Sequence, residues 1–331
     1  MTFRAKLLSL AAIAGAAVAA VSVTTLTARA QAPSIEWRIE DKHQAQGQVD
    51  LHLTMRRAGS IHSTGRTVPL GSLQGLSAAQ LASPETQVVR FRVTRDAGTF
   101  ACRGSVKRDK GSGVCDFEPG QAFAQRLAAG GYGRANDGQL LELAMLDIGQ
   151  PYLDELKRQR YAQSDVAELV SAGQHGVNLR YLQEMNAAGY RLADLNALSR
   201  LRDHGVGPSY IAALKAAGFS GLSTAELTRL RDHGVTADFI TRLGELGYTR
   251  LSADDLVRLR DHGVTGGFVT GLRELGYTKL TADQLVRMRD HGVTSSYAAR
   301  MNAGGPLLTP EELIRLRDSG ARHRAELEAS R

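Results

Sequence analysis

The tetrad Asp-His-Gly-Val begins at Asp203, Asp232, Asp261 and Asp290, and this equal step of 29 residues constrains the fold more than any other feature of the chain. A fixed period of that length marks a repeat architecture, in which each unit is one supersecondary element too small to bury its own apolar face. The clearest unit runs from Leu251 to Tyr277. Ser252 stands where an N-cap belongs, Asp255 follows three positions on as in a capping box, and Leu251 is placed to staple onto Leu256. This first helix, A, is expected to stop at His262, with Gly263 as the left-handed residue and Val264 folding back onto Leu259. Thr265 caps helix B, whose Phe268, Val269, Leu272 and Leu275 recur at helical spacing, and Gly276-Tyr277 closes it. Neither helix exceeds about three turns, so stability has to come from stacking hairpin on hairpin.

The register extends outward through worn copies. Gln174-His175-Gly176-Val177 precedes Asp203 by one period, and Asp318-Ser319-Gly320 follows Asp290 by 28 residues. The helix-B aromatic recurs from Phe123 through Tyr152, Tyr181, Tyr210, Phe239 and Phe268 to Tyr297, and a closing aromatic recurs from Tyr132 to Tyr277. The array is therefore expected over residues 119–320, beginning with a lone helix B and ending with a lone helix A capped by Thr309, ahead of a charged tail at 321–331.

Upstream, the apolar period changes to two. Ile35, Trp37 and Ile39 alternate with polar residues, as do Val49, Leu51, Leu53 and Met55, and then Val89, Phe91 and Val93. A turn at Arg95-Asp96-Ala97-Gly98 sets Val93 against Phe100 and Phe91 against Cys102; a second between Lys107 and Lys110 sets Phe100 against Phe117 and Cys102 against Cys115. That shared register points to a disulfide, the other reading being two reduced buried thiols. The polar stretch from Gly59 to Gly65 reads as a loop, and Ser77 with Gln80 as the capping box of one short helix. The fold class expected is α+β: a small antiparallel sheet over residues 31–118, capping the N-terminal end of an α-solenoid of helical hairpins.

Residues 1–30 read as a secretory signal, with Arg4 and Lys6, an apolar stretch from Leu7, and Ala28-Arg29-Ala30 before the cleavage point. Its removal lowers the formal charge from +7 to +4. The expected location is periplasmic or secreted; left uncleaved, the segment would anchor the chain in the inner membrane. With that small charge, and acidic residues interleaved among the basic ones, nucleic acid is not an expected partner. No HExxH, GxSxG or phosphate-cradling glycine loop is present, so neither an enzyme nor a cofactor is expected.

Two repeated polar ladders remain. His175, His204, His233, His262 and His291 occupy one position per unit; packed helices about 8–10 Å apart let at most two successive imidazoles share a metal, and no Cys or third ligand recurs beside them. They are expected to act as C-caps, donating to terminal carbonyls. Arg202, Arg231, Arg260, Arg289 and Arg317 fall inside the apolar arc and are expected to pair with an Asp of the tetrad or with carbonyls of the adjacent unit, capture of an anionic ligand being the other reading. Arg229, Arg258 and Arg287 point outward, with Arg258 and Arg287 placed to pair with Asp254 and Asp283 four residues earlier. This outward stripe is the expected binding surface.

The run RDAGTF at Arg95 to Phe100, a GSG turn, a second aromatic strand, and helical units of the form HGVT-x-x-F resemble the C-terminal region of bacterial membrane metallopeptidases of the penicillinase-antirepressor type. The resemblance spans about Val88 to Gly320. It implies an exported sheet-plus-repeat architecture; the zinc-binding peptidase helix is not among these residues, so it implies no proteolysis. The function expected is a non-catalytic scaffold for a protein or envelope polymer, possible service as a sensor accessory included; the alternative is an envelope-directed hydrolase with its site where sheet meets helices.

Overall fold

The computed structural model describes residues 33–43, 47–57 and 59–329. The leader expected over residues 1–30 lies outside them. Among the described residues, seven antiparallel strands form one sheet in the order β3-β2-β1-β7-β6-β5-β4: β1 (Ser34–His43), β2 (Gln48–Arg57), β3 (Ser60–Pro69), β4 (Leu73–Gln74), β5 (Gln87–Arg95), β6 (Gly98–Lys107) and β7 (Lys110–Pro119). The alternating apolar residues of β1, β2 and β5 are all buried, as period-two patterning requires of a sheet covered on one face. Helix α1 (Ala78–Ala82) starts in the Ser77–Gln80 capping box and buries Leu81 against this sheet.

The two hairpins fold in the register the sequence implies. Phe91 lies opposite Cys102 and Val93 opposite Phe100; Phe100 lies opposite Phe117, and Cys102 is disulfide-bonded to Cys115. The paired backbone and Trp37 together crowd the glycines beside them. The indole lies against Gly104 and Gly113, where an added Cβ would sit 2.7 Å from the ring, and its Nε1 donates to the Arg103 carbonyl at 3.1 Å.

Of the stretch from Gly59 to Gly65, expected as a loop, residues 60–65 belong instead to β3, which pairs with β2 from Gln48↔Pro69 to Arg57↔Ser60. It is an edge strand with little burial on either face, so its ladder hydrogen bonds hold it without any apolar alternation in the sequence.

Fourteen helices follow among the described residues. They are α2 (Gln121–Ala129), α3 (Asp137–Leu146), α4 (Gln150–Gln159), α5 (Val166–Gln174), α6 (Leu179–Ala187), α7 (Leu195–Asp203), α8 (Pro208–Ala216), α9 (Thr224–Asp232), α10 (Ala237–Glu245), α11 (Ala253–Asp261), α12 (Gly266–Glu274), α13 (Ala282–Asp290), α14 (Ser295–Met301) and α15 (Pro310–Ala329). Ser252 and Asp255 form the capping box of α11, and Thr265 caps α12 through the Phe268 N–H. At the end of α11, Gly263 (φ +70°) donates to the Arg260 carbonyl and Val264 to that of Leu259 at 2.8 Å, a Schellman closure. Val264 is fully buried, so the turn itself joins the core. The final helix passes Gly320 without a break and continues to Ala329.

Helices two apart in sequence lie side by side, which places α3, α5 and α7, then α9, α11, α13 and α15, on one side and the even-numbered α4 to α14 on the other. The helix-B aromatics are buried between them. In three units the tyrosine hydroxyl donates to a valine carbonyl in the next hairpin: Tyr152 to Val177, Tyr181 to Val206 and Tyr210 to Val235, at 2.9–3.1 Å. Burial pushes the Tyr181 and Tyr210 phenols up to about 12. Closing tyrosines do the same on the other side, Tyr190 to Leu222 and Tyr248 to Leu280. The sheet packs on the first of these helices through contacts of β6 and β7 with α3.

Candidate binding surfaces

Each polar ladder runs between neighbouring hairpins, and each finds a partner other than the expected one. The five histidines occupy the expected C-cap position, but their side chains do not bond terminal carbonyls. Nδ1 of His175, His204, His233, His262 and His291 lies 2.6–3.0 Å from Oδ1 of Asp203, Asp232, Asp261, Asp290 and Asp318, one unit ahead. The Schellman closure accounts for this. Backbone N–H groups of the Gly and Val already occupy the last carbonyls, so the ring is released to reach the next helix. With its proton on Nδ1 the imidazole donates to the carboxylate, whether neutral or charged.

That capture of the Asp leaves the inward arginines without it, contrary to expectation. Their guanidinium groups lie instead over the helix-B ring of the preceding unit: Arg202 over Tyr181, Arg231 over Tyr210, Arg260 over Phe239, Arg289 over Phe268 and Arg317 over Tyr297, at 4.8–5.2 Å from the ring centroid. This is cation–π geometry. Nε of Arg231, Arg260 and Arg289 is buried without a hydrogen-bond partner.

The outward arginines also pair across units rather than along their own helix. Arg229 bridges to Asp254, Arg258 to Asp283 at 2.5 Å and Arg287 to Glu311 at 3.5 Å. Neighbouring helices sit close enough for an Arg and a carboxylate to meet, and Asp254 and Asp283, in the first turn of the following odd-numbered helix, face the arginine behind them. These side chains remain roughly half exposed or more.

A further feature lies where the hydrolase alternative put its site. Between sheet and helices lies an open groove of about 1090 Å³, lined by β3, the end of β5, the α3–α4 turn and α6. Arg95 reaches through it from β5 to the carbonyls of Ala144 and Met145 at the end of α3, where a cation offsets the helix dipole. Burial pulls the Arg95 guanidinium below its ordinary range, against the opposing charge of Asp147. Arg66 holds Asp147 at 3.0 Å and the Leu146 carbonyl at 2.7 Å. Asp96 accepts from the Gln150 N–H at 2.7 Å, so the sheet supplies the cap that Gly149 lacks on α4. A Cβ at Gly149 would stand 2.5 Å from that carboxylate and would have to displace it from the Gln150 N–H. The sequence showed Arg95-Asp96 only as a turn, because their partners lie about fifty residues away.

Among the described residues no group of three or more His, Cys, Asp or Glu side chains is placed to hold a metal ion. No protein-family model matches the chain, no curated protein matches it, and neither does any solved structure.

Proposed function

We propose that the chain is an exported, non-catalytic scaffold of the bacterial envelope, in which hairpins of about 29 residues stack as a solenoid and hold a protein or envelope polymer along the outer row of odd-numbered helices. The observation that carries this is the cross-unit bridge of Arg229, Arg258 and Arg287, which presents the same exposed charge pattern at each step. Exposed pairs of this kind stabilise by only about 0–1 kcal/mol each, so the row is not what keeps the helices together. An extended partner meets identical chemistry at regular intervals along it, which multiplies weak contacts. Export is supported by the leader-like N-terminus and by the Cys102–Cys115 disulfide. No helix among the described residues is long and apolar enough to cross a membrane. The resemblance to the antirepressor-type peptidase region belongs to the same proposal.

Converting Arg229, Arg258 and Arg287 to Glu should abolish retention of the partner from native envelope extract, read by mass spectrometry. Exchanging a pair, Arg258→Asp with Asp283→Arg, should restore the bridge and the melting temperature while binding stays impaired. Undiminished capture by the triple variant would discard this surface. The second reading, a hydrolase working at the junction, rests on the open groove. Its two carboxylates, Asp96 and Asp147, are each already held by protein donors, which favours the binding reading.

A further inference from the structure

The two edges of the sheet are built differently. At one, β4 is only two residues long and leaves almost no ladder for another chain to join; at the other, β3 runs for ten residues from Ser60 to Pro69. Its pairs with β2 succeed one another without a bulge, no proline precedes Pro69, and no lysine interrupts it. Sheets ordinarily use those devices to keep an open edge from pairing.

Backbone alternation fixes which groups face outward. Cys102 and Cys115 stand opposite each other with Cα atoms 4.0 Å apart, the narrow kind of antiparallel pair, whose N–H and C=O groups point away from one another. Carried across the sheet through Ile35↔Cys115, Trp37↔Gly113, Trp37↔Leu53 and Leu53↔Thr64, the alternation makes Leu53 and Thr64 a hydrogen-bonded pair. The neighbouring pairs, Ser63 with Thr54 and Gly65 with His52, are then narrow, and a Cβ at Gly65 would stand 2.6 Å from the His52 ring. The N–H and C=O groups of Ile61, Ser63, Gly65 and Thr67 therefore face away from the sheet. All four residues are exposed, Ile61 at 62%, and among the described residues none of these groups bonds another backbone.

The groove between sheet and helices runs along half of this edge. Thr64, Gly65, Arg66 and Thr67 line it in unbroken succession, so it opens on the edge of the strand and not on one face alone. Across from them α6 contributes Leu179, Arg180 and Gln183, which leaves passage for one extended chain and bars the whole sheet of a second copy. Asp147 is held by Arg66, and Asp96 by the Gln150 N–H. Arg180 keeps 82% of its side chain exposed, with Glu184 no nearer than 3.9 Å, so the surplus charge of the groove is positive.

We propose that β3 takes up an extended, carboxylate-bearing segment of a partner protein as an additional strand. Residues 61–67 span about 20 Å, enough for about seven residues of that segment. Its backbone bonds the outward groups, an apolar side chain covers Ile61, and its acid meets Arg180; main-chain bonds supply affinity and the side chains selectivity. The site is separate from the outer arginine row and does not rest on it.

A phage-displayed library of random heptapeptides, panned on the full chain, provides the probe. Retained sequences should alternate β-branched residues and carry Asp or Glu. A synthetic peptide of the most enriched sequence should slow amide exchange at Ile61, Ser63, Gly65 and Thr67 on the order of tenfold. Ser63→Pro deletes an outward N–H and no ladder bond, so it should weaken the peptide on the order of tenfold at an unchanged melting temperature. Arg180→Glu should turn the selection toward basic peptides, whereas Arg229→Glu, Arg258→Glu and Arg287→Glu combined should bind as the wild type does. Failure to enrich any sequence, protection confined to other amides, or undiminished binding by Ser63→Pro overturns the proposal. So does a concentration-dependent dimer that Ser63→Pro abolishes, since the edge would then belong to a second copy.

Discussion

Gly263 and Gly267 stand four residues apart and carry opposite expectations. Gly263 adopts φ +70°, and a Cβ there would meet the Arg289 guanidinium at 3.3 Å; Gly267 sits in α12 with open space around it. Gly263→Ala should therefore destabilise by about 1–2 kcal/mol, the cost of a left-handed residue bearing a side chain. Gly267→Ala should stabilise by about 0.5 kcal/mol, through helix propensity and a less free unfolded chain. Denaturant melts of the two variants check both signs. At this scale the sequence marked which side of the helix each arginine occupies, because a helical wheel gives direction. It could not name the partner, since the wheel of one helix carries no information about the ring or carboxylate of its neighbour. Arg260 shows the consequence: expected on an Asp or on carbonyls of the adjacent unit, it rests on Phe239. Arg260→Met keeps the aliphatic stem and removes the cation, and should cost about 0.5–1 kcal/mol in the same measurement.

Helix starts were the most legible elements, because a capping box is local. Ser223 with Glu226, Ser252 with Asp255 and Thr309 with Glu312 all form reciprocal bonds. Hydrogen bonds from the hydroxyl and backbone of Ser223 hold Glu226 below its ordinary value of 4.5, and those from the backbone and hydroxyl of Ser252 hold Asp255 below 3.8. Glu312 is lowered in the same way by Thr309. A carboxylate whose folded value is depressed contributes stability above its unfolded value and loses it as pH falls through the folded one. The melting temperature should therefore decline as pH drops below about 4.5. That decline should be shallower in the Glu226→Gln, Asp255→Asn double variant. Strand β3 was illegible for the opposite reason: its structure comes from a non-local ladder to β2, and its residues bury little that a pattern could reveal. The groove-lining Arg95 and Asp96 were hidden similarly, their partners lying on helices far along the chain.

For the whole molecule, the sheet and the helices offer separate probes. Trp37 is the single tryptophan and lies in the sheet core, while the helices dominate far-ultraviolet circular dichroism. The disulfide closes a separation of 13 residues, worth about 3 kcal/mol in the chain-entropy account. Reduction should accordingly lower the tryptophan-detected melting temperature well below the helical one. Coincident shifts of both would show the two parts unfolding together. The histidine and tyrosine bonds all reach forward by a near-constant count, 27–28 residues for the first and 25 for the buried tyrosines. Splicing in a duplicate of residues 252–280 leaves every one of these reaches intact on both sides of the seam. On the proposed solenoid reading the chain is a ruler, and a variant carrying that duplicate should fold with a correspondingly larger helical signal in circular dichroism.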